Sequence, residues 1–131
     1  MRKDIIIPEV KDVFVAVVHE WNDEFLSKEW NAYIINNRAD AIDMVLIVTK
    51  GYDGDIKTST MRHGIGKVEA KSFEKIELMQ EDVLALNNEF YVTFFADDKL
   101  YEKKYLFEKN SVSENNLTAI PILEKDGVFA K

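Results

Sequence analysis

Seven stretches of this chain either alternate apolar with polar residues or are apolar throughout, and each is closed by a turn signal. No other feature restricts the fold as much. Short strands recurring at about 8–15 residues, with turn residues between them, predict an all-β single domain: an antiparallel β-sandwich of about seven strands. An immunoglobulin-like or fibronectin-like topology is the first expectation. A closed barrel is the alternative, because strand count alone does not separate the two.

Val13-Phe14-Val15-Ala16-Val17-Val18 is apolar on both faces and predicts a central strand covered on each side. Asn22-Asp23-Glu24 ends it, and Trp30 to Ile35 form the second strand. The third has the clearest alternation, with Ile42, Met44, Leu46 and Val48 on one face and Asp43, Val45, Ile47 and Thr49 on the other. Lys57 to Arg62, polar and β-branched, reads as an edge strand protected by its own cations, followed by a turn or bulge at His63-Gly64-Ile65-Gly66. In the fifth strand the apolar spacing of Phe73, Ile76 and Leu78 slips by one residue, which a bulge near Glu74-Lys75 would reconcile. One short helical turn is expected near 81–86. The aromatic strand Phe90 to Phe95 then turns at Asp97-Asp98 into Tyr101 to Phe107. Asp126-Gly127 reads as a hairpin dipeptide with too few residues after it for a full strand.

A chain of 131 residues is one domain by length and can bury roughly two-thirds of its unfolded surface. It has no cysteine, so disulfides and thiolate metal sites are excluded and a reducing compartment is favoured. The start, Met1 to Pro8, places three isoleucines before a proline, short of the about 7–15 apolar residues of a secretory leader. No apolar run approaches the roughly 18 residues that span a bilayer, so a cytoplasmic protein with no membrane partner is expected. The net charge of −7 argues against nucleic-acid binding, which needs a basic stripe.

The densest polar chemistry lies at Thr58-Ser59-Thr60-Met61-Arg62-His63-Gly64-Ile65-Gly66. Ser59, Thr60, Arg62 and His63 are the candidate ligand-binding residues: hydroxyls and backbone N–H groups suit an anion, and a guanidinium grips it bidentately. The plainer reading is an edge strand with its hydroxyls in water. A phosphate loop would also be followed by a helix, which Lys67 to Ser72 do not resemble. His19, ending an apolar strand, reads as a structural, hydrogen-bonded histidine. Trp21, Trp30 and Tyr33 read as core anchors, with a sugar or peptide platform as the functional alternative. Asp53-Gly54-Asp55 lacks the ligand run of a calcium loop, and no nucleophile motif is present, so no catalytic residue, metal or cofactor is expected.

At Thr58 to Gly66, Lys71 to Leu78 and Leu86 to Phe95 the chain resembles a family of small uncharacterised bacterial proteins, nearly end to end through Gly127-Val128-Phe129-Ala130-Lys131. Some members bear the label of a phenylalanyl-tRNA synthetase alpha subunit, and the resemblance assigns no role to any residue. The residues argue against synthetase activity. The three arginines, Arg2, Arg38 and Arg62, cannot supply the two arginine-bearing motifs such an ATP site uses, and the surface is acidic where tRNA would dock. The expectation is a non-catalytic interaction domain that binds a protein partner or a second copy of itself. The alternative is a small-ligand or anion binder centred on the 58–66 segment.

Overall fold

The structure, a computed structural model, describes residues 8–131; the stretch weighed above as a leader lies, up to residue 7, outside the described residues. Two five-stranded antiparallel sheets pack face to face as a β-sandwich. The first has the order β6 (Ser72–Met79), β2 (Ser27–Asn36), β1 (Val13–Asn22), β10 (Lys125–Phe129), β9 (Thr118–Ile120). In the second, β3 (Ile42–Asp53) pairs on one side with β4 (Ile56–Lys57) and β5 (Met61–Val68). On its other side lie β7 (Asn87–Ala96) and then β8 (Lys99–Phe107). A four-residue helix, α1 (Glu81–Leu84), and a 3-10 turn (Glu114–Asn116) cap one end. No helix among the described residues is long and apolar enough to cross a membrane.

Strand alternation builds the core. Val13, Val15 and Val17 of β1 meet Phe90, Val92 and Phe94 of β7 between the sheets, with Ile34, Ile47 and Phe107 around them. Tyr105 reaches across, donating its buried hydroxyl to the Val13 carbonyl at 2.6 Å, and burial pushes its pKa up. The second face of β1 is covered as well. Ala16 and Val18 join Ile35, Ile120 and Leu123 in a smaller cluster, because the loop between β9 and β10 folds back over the sheet. The even apolar character of β1 has this cause: a central strand is buried twice.

Three sequence expectations are corrected, and the expected β6 bulge is found one residue on. The alternation of β3 breaks near its start, where Met44 adopts φ +52 and the pairing with β7 jumps from Asp43 to Leu46. This bulge returns Ile42 to the core. The buried face is therefore Ile42, Val45, Ile47 and Thr49, and Leu46 is exposed with Met44. The edge strand expected over Lys57–Arg62 is broken at 58–60, between β4 and β5, and β5 runs on through the 63–66 segment read as a turn or bulge, with a bulge-like register slip at Gly66, φ +83. The bulge expected in β6 near Glu74-Lys75 is present, at Ile76, between Lys75 opposite Tyr33 and Glu77 opposite Ala32. Asp126-Gly127 makes no hairpin. Both residues lie inside β10, which pairs with β1 and β9.

Candidate functional site

The 58–66 segment leaves β4, continues along the same edge of β3 and becomes β5. Thr58 holds the break between the two strands against β3, its hydroxyl accepting the Gly51 N–H at 2.7 Å. Within β5, Arg62 pairs with Val48 and His63 with Ile47, so the two side chains leave opposite faces of the strand. His63 turns toward the other sheet, where its Nε2 lies 2.7 Å from Glu77 on β6. The Thr49 hydroxyl donates to the same carboxylate oxygen at 3.1 Å. Arg62 is exposed on the outer face. Ser59 lines a narrow cleft of about 130 Å³ with Thr49 and Glu77, and Thr60 a separate groove of about 260 Å³ with Lys50 and Lys57. The four predicted residues are thus dispersed over two faces and two clefts. The segment's chemistry is instead a clasp: a histidine and a threonine on one sheet holding one glutamate on the other.

The aromatic platform is likewise divided. His19 pairs with Trp30 and Trp21 with Lys28, so Trp21 and Trp30 stand on one face of the β1–β2 hairpin, whereas Tyr33 pairs with Ala16 on the other. Trp30 is buried under His19, whose ring stacks on it at 4.1 Å between centroids and 11° between planes. Stacking therefore holds His19, in place of the expected hydrogen bond. The Tyr33 hydroxyl donates to Glu20 at 2.6 Å. That carboxylate also accepts from Asn31 at 2.8 Å and from Lys125 of β10 at 2.6 Å. Burial raises the pKa of Glu20, but the three hydrogen bonds and the lysine's charge outweigh it and hold the group below the ordinary carboxylate value. Burial and the bond to Glu20 push Tyr33 up.

Two features had no local signature in the sequence. The first is the outer face of the second sheet. Register places Leu46, Val48, Tyr91, Phe95 and Leu100 together there, with exposed Met44 in the adjoining bulge. Its rim carries both signs of charge. Lys50 and Lys104 lie 3.4 Å from Glu89, Tyr91 donates to Glu102 at 2.8 Å, and Arg62 stands at the β5 side. The apolar residues at both parities of β3 and β7 were the available clue. The second is a cavity of about 460 Å³ at the capped end, where β1, β2, α1 and the 110–114 segment meet. Its residues come from four separated stretches, which no spacing rule connects.

Among the described residues no three His, Asp or Glu side chains cluster as metal ligands would. Comparison with protein-family models, curated proteins and solved structures finds no match to this chain.

Proposed function

We propose that the protein is a non-catalytic interaction domain that pairs with a second copy of itself through the outer face of the β5-β3-β7-β8 sheet. The apolar strip on that face carries the reading. A sandwich has two outer faces, and here the chain's own β9–β10 loop covers part of one while the other presents Leu46, Tyr91, Phe95 and Leu100 to solvent. Contiguous apolar surface rimmed by polar groups is the signature of a docking surface. Its rim favours a self-pairing occupant. Lys50, Arg62 and Lys104 stand beside Glu89 and Glu102, so a strongly acidic or basic partner would leave one sign unpaired. A second copy brings both signs to the same apolar centre.

The order of pairing also supports the finer fold reading. With β1, β2, β3, β6, β7 and β8 read as strands A, B, C, E, F and G, the sheets contain A-B-E and C-F-G neighbours. In the position of strand D, β5 pairs with C instead of E, and β9–β10 extend the sheet beyond A. An immunoglobulin/fibronectin-like sandwich with a switched D strand fits that order.

Sedimentation velocity over a hundredfold concentration range tests the dimer. The wild-type chain is expected to shift from monomer to dimer, and a Leu46→Glu/Phe95→Glu variant to remain a monomer with unchanged circular dichroism. Both positions are exposed, so the substitutions leave the core intact. A wild-type chain that stays monomeric throughout, or a variant that still dimerises, overturns the proposal.

A further inference from the structure

The cavity at the capped end has a composition unlike the rest of the surface. Its floor is apolar, made by Leu84 of α1, Val112 and the buried edge of Trp30. Its polar wall is acidic. Glu81 opens α1, and Glu114 opens the 3-10 turn with its Oε1 3.7 Å from the Nδ1 of His19. No lysine or arginine lines it among the described residues. One rung further along the same face of the β1–β2 hairpin stands Trp21, exposed and held by a 2.8 Å hydrogen bond from its Nε1 to Asp23. The cavity thus joins an apolar floor to a carboxylate wall, and Trp21 stands outside its lining.

From this geometry we infer that the cavity binds a small organic ammonium ion with a short apolar body. The volume lies in the range of small-molecule sites, roughly 300–1,000 Å³. An anion would meet two carboxylates with no lysine or arginine in the lining to offset them, so the sign of the ligand follows from the wall. A neutral polar molecule would leave that charge uncompensated. An alkylammonium supplies both parts: N–H donors for Glu114 and Glu81, and methylenes for Leu84 and Val112. The site is separate from the outer sheet face, and neither proposal depends on the other.

Replacing Trp21 by Phe leaves Trp30 as the only tryptophan and a direct reporter of the cavity floor. Titration of this variant with n-butylammonium is expected to give a saturable change in Trp30 emission that weakens as salt is raised. n-Butanol, matched in length but uncharged, is expected to give none. Adding Glu81→Gln and Glu114→Gln is expected to weaken binding more than tenfold, whereas Glu74→Gln with Asp126→Asn, two exposed acids elsewhere, leaves it unchanged. Both glutamates are exposed, so the variants fold. The inference fails if emission does not saturate, if butanol matches butylammonium, or if the two glutamine pairs behave alike.

Discussion

A Cβ at Gly127 would stand 2.5 Å from the Val17 carbonyl oxygen and 3.1 Å from Val18 Cα, so β10 lies against β1 only with glycine there. Both obstacles are backbone and cannot move aside. Gly127→Ala is therefore expected to destabilise by about 2 kcal/mol in urea denaturation, as overpacking in a rigid site does. A change within about 0.5 kcal/mol, the range of neutral surface substitutions, would refute the close approach. Glu20 makes a second prediction at this scale. Its folded pKa is depressed, so its contribution is present above the ordinary carboxylate value and is lost as pH falls through the folded one. Burial raises Glu89, but the charges and hydrogen bonds of Lys50 and Lys104 together outweigh it, so Glu89 acts in the same direction. Denaturation midpoints should hold between neutral pH and about pH 5, then fall. In Glu20→Gln the midpoint should be lower at pH 7 and the acid decline shallower. An unchanged slope would show that Glu20 does not carry it. The alternating strands made the core residues of β1 and β7 legible in advance, but not these two positions. Asp126-Gly127 is a turn dipeptide by composition, and only the neighbouring strands show that the glycine is needed for its lack of a side chain.

Among the elements, the β7–β8 hairpin matches its sequence best. Ala96 pairs with Lys99, leaving Asp97 and Asp98 as a two-residue loop with φ +55 and +62. Two residues at positive φ define the type I′ turn, whose twist suits the strands it joins. Asp at the second position is less favourable than glycine. Asp98→Gly is accordingly expected to stabilise the protein by about 0.5 kcal/mol, strain relief outweighing the added freedom of the unfolded chain. A lowered melting temperature would contradict this account of the turn. Asp97 is left in place because it accepts a 2.7 Å bond from Arg38. Where elements departed from expectation, bulges were responsible. Met44 in β3 and Ile76 in β6 each insert one residue against the partner strand, changing which side chains face inward from that point. The slip in Phe73, Ile76 and Leu78 announced the second bulge within two residues. The uninterrupted alternation of 42–49 concealed the first, since apolar residues stand at both parities and either register would bury some of them.

At the scale of the whole molecule, the sandwich treats its two outer faces differently, and the proposed dimer follows from that asymmetry. If the second face is covered by another copy, the melting temperature should rise with protein concentration in the wild type and not in Leu46→Glu/Phe95→Glu. The all-β class, most strand positions, the hairpin at 97–98 and the doubly buried first strand were determined by the sequence alone. Each depends on a period of two residues and on turn chemistry a few residues long, both of which are local. The pairing of strands distant in sequence, the dispersal of Ser59, Thr60, Arg62 and His63, the His63–Glu77 clasp between sheets and the acidic cavity at the capped end were decided only by tertiary structure. The clasp joins residues 14 positions apart in the chain, and His19 and Glu114 at the cavity are more than 90 apart. Local alternation says which side chains avoid water, whereas the folded chain says which of them meet.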